Sequence, residues 1–303
     1  MLGSILERIV ASKAGGMSIA KTPNNDPDGS EASRSASGTV DYLLAGQASE
    51  LERLQLQSRV WEPSGRRLLD EIGDRRGARA LDVGCGAIAW LRLLSQWIGS
   101  DGEVVGTDID DAMLGAAKQF VDAEGLGNVV LVKDDLFASK LESSSFDLVH
   151  ARFQIAPLGR GPDQIANHFR LLRPGGTVVL EEWDVSSWHF NPPAPALESL
   201  IELIGQSFVR SGGDMFVGRQ LLDLLRGFSV EGQVRAEVLA LPPGHPYLRL
   251  PLQFATALEE RLLSIVTADR LEQLHTDGEA ELAEPGRWGT TFMLLQAWGE
   301  SPT

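Results

Sequence analysis

The chain has 303 residues, 43% of them hydrophobic and 23% charged, and a formal charge of −15. That is the make-up of an ordinary globular protein with one large domain or two small ones. The acidity argues against binding nucleic acid, where cationic side chains displace condensed counterions, and against an anionic membrane surface. Cys85 is the single cysteine, so no intramolecular disulfide and no cysteine-based zinc cluster is expected. The five histidines, His150, His168, His189, His245 and His275, show no HxxxH or HExxH spacing, and no metal site is expected. No apolar run approaches the roughly 20 residues that span a bilayer. A cytoplasmic protein is the plain reading.

In chain order, residues 1–38 open with Leu2, Ile5, Leu6, Ile9 and Val10 at helical spacing. A stretch rich in Ser, Gly, Pro, Asn and Asp follows. Such a segment buries too little apolar surface to offset its ordering entropy. It is expected to be a disordered or weakly ordered tail ahead of a folded unit over 39–303. Residues 41–72 predict two cap helices with an apolar face from Leu43 to Ile72, Pro63 sitting in the first turn of the second. From Ala80 short apolar runs recur at 80–83, 103–107, 129–132, 146–150 and 177–182, with helical stretches at 89–97, 112–124 and 164–172 between them. Alternation with short turns predicts parallel βαβ units whose strands are buried on both faces. After Asp184 the rhythm breaks. Leu197, Leu200, Ile201, Ile204 and Phe208 fall at helical spacing, residues 230–241 are strand-like, and 291–298 is a last strand. The segment 185–270 is expected to form a helical lid.

Ala80-Leu81-Asp82-Val83-Gly84-Cys85-Gly86 is the most informative stretch. A strand runs into a glycine turn before a helix, and glycine lets backbone approach a ligand where a Cβ would clash. Asp108 ends the second strand, where a carboxylate can accept from both ribose hydroxyls. Asp134, in Lys133-Asp134-Asp135-Leu136, ends the third, within reach of an adenine amino group. Asp82 inside the glycine loop would repel a pyrophosphate and attract a cationic amino group. The loop lacks the full GxGxxG and any GxxxxGK[ST]. S-adenosylmethionine (SAM) therefore suits the pattern better than NAD or ATP.

Over residues 40–300 the sequence resembles the class I SAM-dependent methyltransferases of the ubiquinone/menaquinone-biosynthesis type. The resemblance rests on LDVGCG (81–86), VVGTDID (104–110), KDDLF (133–137), SSFDLVHARF (144–153) and LLRPGGTVVLEEWD (171–184). It implies a Rossmann-like α/β fold with a mostly parallel seven-stranded sheet, helices on both faces and a lid. It also implies that Asp82, Gly84 and Gly86 hold the amino-acid end of SAM, Asp108 and Ile109 its ribose, and Asp134 with Asp135 or Leu136 its adenine. Residues His150 to Phe153 would lie beside the sulfonium. One departure stands out. Ile88 occupies the place of the family's third loop glycine, and isoleucine does not follow a positive-φ backbone cheaply.

Methyl transfer needs alignment more than acid–base machinery. His189, Glu182 and His150 are candidate bases for a hydroxyl or carbon acid, each weighed against a packing or ion-pair role. Arg152 can reach the SAM carboxylate or form a structural salt bridge. Tyr42 can cap the site, and Cys85 is best read as a small buried filler. The expected function is O- or C-methylation of a small hydrophobic acceptor such as a quinone precursor or aromatic metabolite. The alternative is a SAM-fold cyclase or isomerase that transfers no methyl, with Ile88 as its support. The partner is the acceptor itself, with no nucleic acid and no membrane, and a homodimer is left open.

Overall fold

The structure, a computed structural model, describes residues 48–302 apart from Ala89. The expected tail 1–38, Tyr42 and the start of the cap lie outside the described residues. The first element among the described residues is a helix, α1 (Ala48–Ile72), that runs unbroken through Pro63. Two cap helices were expected over this stretch; from Ala48 onward there is one. Trp61 and Leu68 on its inner face are fully buried, and that packing outweighs the N–H that Pro63 withholds.

The sheet then builds by alternation. It runs β1 (Arg79–Val83), α2 (Leu91–Ile98), β2 (Glu103–Asp108), α3 (Asp111–Glu124), β3 (Val129–Lys133) and β4 (Phe146–Arg152). A single turn, α4 (Ile155–Leu158), precedes α5 (Gly161–Leu171) and β5 (Leu172–Asp184). These strands lie where the apolar runs predict them. The local signals are physical ones. Asp110 caps α3 by accepting from Ala112 N and Met113 N, and Gly125 ends it in the left-handed conformation at φ 65°.

Beyond β5 come α6 (Pro195–Arg210), α7 (Leu221–Arg226), β6 (Gln233–Glu237), α8 (Leu250–Ala257), α9 (Ala268–Leu282) and β7 (Met293–Glu300). The seven-stranded sheet has the order β3-β2-β1-β4-β5-β7-β6. Neighbours among the first five strands pair in parallel, and β7 is antiparallel to both β5 and β6. This is the class I methyltransferase arrangement. A reversal of strand order falls between β1 and β4, where open α/β sheets place their ligands.

The expected lid over 185–270 needs correction. Its residues 233–237 form β6, a strand of the main sheet, so the segment is not a continuous cover. The cover consists of α6, α8 and α9, which pack on one another, and α9 extends it past residue 270. Leu197, Leu200, Ile204 and Phe208 of α6 are buried as their spacing predicts. Residues 190–191, 288–290 and 240–241 add a small antiparallel sheet. Among the described residues, no helix is long and apolar enough to cross a membrane.

Candidate active site

The carboxyl ends of β1, β2 and β4 open into a cleft that is continuous with solvent. Its floor is the loop after β1. Gly84 and Gly86 both take positive φ, 61° and 52°. They serve different ends. A Cβ at Gly84 would lie 2.3 Å from Gln154 Nε2, whereas one at Gly86 would meet only Leu54 Cδ1 at 3.8 Å. Gly84 therefore makes room for Gln154, whose Nε2 donates to its carbonyl at 3.3 Å, and Gly86 turns bare backbone to the cleft. Asp108 accepts from Gly86 N at 3.0 Å and from Asp110 N at 2.9 Å. It lines the cleft. Burial raises its pKa, opposed by the N–H groups of Asp110, Gly86 and Ile109.

Beneath the loop lies a buried polar chain. Asp82, at the end of β1, accepts from Trp90 N at 3.0 Å and pairs with His150 Nδ1 at 2.7 Å. His150 Nε2 meets Glu181 at 3.2 Å, and Glu181 accepts from Gln296 Nε2 at 2.5 Å. Trp90 stacks on His150, with centroids 3.9 Å apart and planes 14° from parallel. Burial disfavours a charged imidazole, yet the bonds to Asp82 and Glu181 outweigh it and raise the His150 pKa. The same imidazole and Arg152 hold Glu181 below the ordinary carboxylate value despite its burial. Next to it, burial pushes Glu182 up to about 8, although its carboxylate accepts from Ile155 N at 2.5 Å and Ala156 N at 3.3 Å.

Several sequence expectations change here. Asp82 is 1% exposed and does not line the cleft; it ties the loop to His150 rather than facing a ligand. His150 and Glu182 are enclosed at 0% and 2% exposure, so neither reaches an acceptor. His189 bonds through Nε2 to Ser186 O at 3.0 Å and stands outside the cleft lining. Asp134 accepts from Lys140 N and Asp135 from Phe137 N. Neither they, Leu136 nor Ile109 line the cleft. Ile88 does line it, but the non-glycine positive-φ residues among those described are Ser144, Phe153, Arg160 and Ser229. The loop thus makes no left-handed demand on Ile88, and the strain expected there is absent. Cys85 is buried, and burial with Asp82 and Asp108 nearby holds its thiol well above the ordinary range, as suits a filler.

Gly84, Gly86, Asp108 and Arg152 do come together in the cleft. The sequence reading missed Arg53, Leu54, Gln57 and Ser58, one face of α1 at i, i+1, i+4 and i+5 spacing, together with Gln154 and Trp183. Polar residues recurring on the buried side of the helix, beside Trp61 and Leu68, were the available signal. SAM suits the residues present. Gly86 leaves room for a ligand at the loop, Asp108 offers an acceptor for ribose hydroxyls, and Arg152 Nη1 is a buried donor without a hydrogen-bond partner.

Comparison with known proteins points the same way. Residues 80–176 match the family described as a methyltransferase domain. Demethylmenaquinone methyltransferase of Staphylococcus aureus (strain MRSA252) is 36% identical over 126 residues, 42% of this chain and 50% of that one. The chain thus spans about half the length of the curated relatives it matches. Two solved structures share the fold at low identity. The YcgJ protein of Bacillus subtilis has TM-score 0.53 and 15% identity, covering 78% of this chain and 97% of that one. A Bacillus halodurans protein has TM-score 0.54 and 16% identity, covering 79% and 100%. Strand order, glycine loop and family match fall on the same residues: residues 80–176 carry a methyltransferase domain within a class I fold, similar in sequence to the demethylmenaquinone methyltransferases.

Proposed function

We propose that the protein transfers the methyl group of SAM to a small hydrophobic acceptor. The observation that carries this reading is the composition of one cleft. Gly86 and Asp108 line the same cleft as the aromatic residues Phe153, Trp183 and Phe254. SAM supplies a methyl carbon on a positively charged sulfur. The protein's part is to hold the two reactants in line and exclude water, which is where most of the rate gain of such a displacement arises. Asp108 accepts from the ribose and the loop at Gly86 lies against the amino-acid portion. The aromatic rings accept a flat apolar molecule. Phe153 holds φ 58° at the end of β4, a strained conformation fixed by its N–H bond to Glu181 O at 2.8 Å. The strain turns the Phe153 ring toward Trp183, with centroids 5.4 Å apart. The similarity to demethylmenaquinone methyltransferases supports a quinol-like acceptor.

The test is direct. Purified protein is incubated with methyl-labelled SAM and a panel of hydroxylated naphthalenes and phenols, and label is followed into the organic phase. Transfer to at least one member is expected. SAM that stays intact with every member while binding the protein would remove methyl transfer to this acceptor class.

A further inference from the structure

Gly84 leaves a space in the glycine loop, and the chain's own Gln154 fills it. A Cβ at Gly84 would fall 2.3 Å from Gln154 Nε2, 2.5 Å from its Cδ and 2.6 Å from its Oε1. The whole carboxamide therefore lies in the place that the missing side chain opens. Its Nε2 donates to Gly84 O and to Arg152 O, each at 3.3 Å. These two backbone carbonyls fix which way the amide faces, because an oxygen in that place would meet two other oxygens. Gln154 lines the cleft together with Gly84, Gly86 and Asp108. The backbone that carries it is anchored. Its carbonyl accepts from Leu158 N at 3.2 Å and from Gln164 Nε2 at 3.3 Å, and Glu182 accepts from Ile155 N and Ala156 N just beyond. Freedom at this position belongs to the side chain.

The carbonyls of Gly84 and Arg152 have a weak partner in this amide. Both bonds are longer than the usual N–H···O range, and the amide brings no charge. The surroundings favour a cation. Besides burial, the carboxylates of Asp82 and Asp108 push up the Cys85 thiol in the same loop. An ammonium at the position of Nε2 would offer three donors and a positive charge, in bonds roughly twice as strong. SAM carries such a group at its amino-acid end. We propose that Gln154 competes with the cofactor: its carboxamide holds the place of the SAM ammonium against the carbonyls of Gly84 and Arg152, and has to swing out before SAM seats. This rests on the methyl-transfer reading for the cofactor and adds the residue that sets its affinity. Before entry the carboxamide keeps two cleft carbonyls bonded. On entry the ammonium takes both over, and the side chain turns to the open side of the cleft, where water satisfies it. The observed affinity is then the intrinsic one reduced by the fraction of molecules whose side chain is already out. The part of the amino-acid site expected at Gly84 is reached only by this exchange.

Calorimetric titration of the full protein with two nucleosides tests the exchange. S-adenosylhomocysteine carries the ammonium. 5′-Methylthioadenosine keeps the adenosine and the sulfur but lacks the amino-acid end. Gln154→Ala should bind S-adenosylhomocysteine about three- to tenfold more tightly than the unaltered protein, and 5′-methylthioadenosine within about twofold of it. Gln154→Met keeps the bulk but cannot donate to the carbonyls, and should gain affinity for S-adenosylhomocysteine to a smaller extent. Unchanged or weaker binding of S-adenosylhomocysteine in both variants would overturn the proposal; weaker binding would make Gln154 a ligand of the cofactor. An equal gain for 5′-methylthioadenosine would also overturn it, by showing that the cleft had merely loosened. The readout does not depend on turnover. Failure of both nucleosides to bind the unaltered protein and Gln154→Ala would remove the cofactor reading itself, whereas 5′-methylthioadenosine binding with no gain for S-adenosylhomocysteine would remove the role of Gln154 alone.

Discussion

Asp82 and Asp108 end adjacent strands of one sheet, β1 and β2, and they do different work. Asp82 is closed off from solvent, bonded to Trp90 N and His150. Asp108 accepts from the loop at Gly86 and lines the open cleft. The region below the glycine loop is a sealed chain of charges, Asp82–His150–Glu181, satisfied end to end. The region above it is an open cleft whose arginine Nη1 lacks a partner. A buried charge must be paired wherever it stands. In the lower region the protein satisfies its own charges with hydrogen bonds, and in the upper one an Arg152 N–H, though its charge lies 3.8 Å from Glu181, has no hydrogen-bond acceptor. A carboxylate in a binding motif can therefore belong to the scaffold, and only its partners tell which.

The largest effect separating the two regions is expected from Asp82→Ala. It leaves His150 and the Trp90 N–H buried without their acceptor, and should cost about 3–5 kcal/mol of stability in urea unfolding. A loss under about 1 kcal/mol would mean that the lower chain is not tightly paired. Its pH dependence sharpens the comparison further. Glu182 binds a proton more tightly folded than unfolded, so stability should fall as pH rises from about 4.5 toward about 8. The raised His150 adds to the same trend, since its contribution is lost as pH climbs through its folded value above 6.5. Glu182→Gln should flatten the first part of that slope in urea midpoints taken across this range. An unchanged slope would show that Glu182 ionises as freely folded as unfolded.

The parallel strands were legible because they are buried on both faces and carry near-continuous apolar runs: Leu81, Val83, Val104, Val105, Leu148 and Val149. Gly86 and Asp108 were legible from spacing. The lower chain was not. Pairing of Asp82 with His150, 68 positions away, follows from β1 lying beside β4 in register, and adjacency across a sheet leaves no local mark. Arg53 on α1 and Phe254 on α8 meet for the same reason, as partners from distant elements. Residues 230–241 were read as strand-like, but that β6 pairs with β7 in the main sheet, and so does not belong to a lid, leaves no local mark in its exposed, alternating residues.

A smaller effect is expected at His189. Its imidazole is bonded to Ser186 O and stands outside the cleft, so His189→Ala should leave turnover within about twofold, well short of the roughly 10²-fold loss of a missing base. A loss of that larger size would return His189 to the chemistry and move the acceptor toward it.

The central claim is that the upper region, at Asp108, holds the cofactor. Calorimetric titration of S-adenosylhomocysteine into the protein and into Asp108→Asn tests it most directly. The account predicts saturable one-to-one binding to the unaltered protein, and an affinity about 1–3 kcal/mol weaker in the variant, from the lost charged acceptor. Equal affinity in the two proteins, or no binding to either, would contradict it.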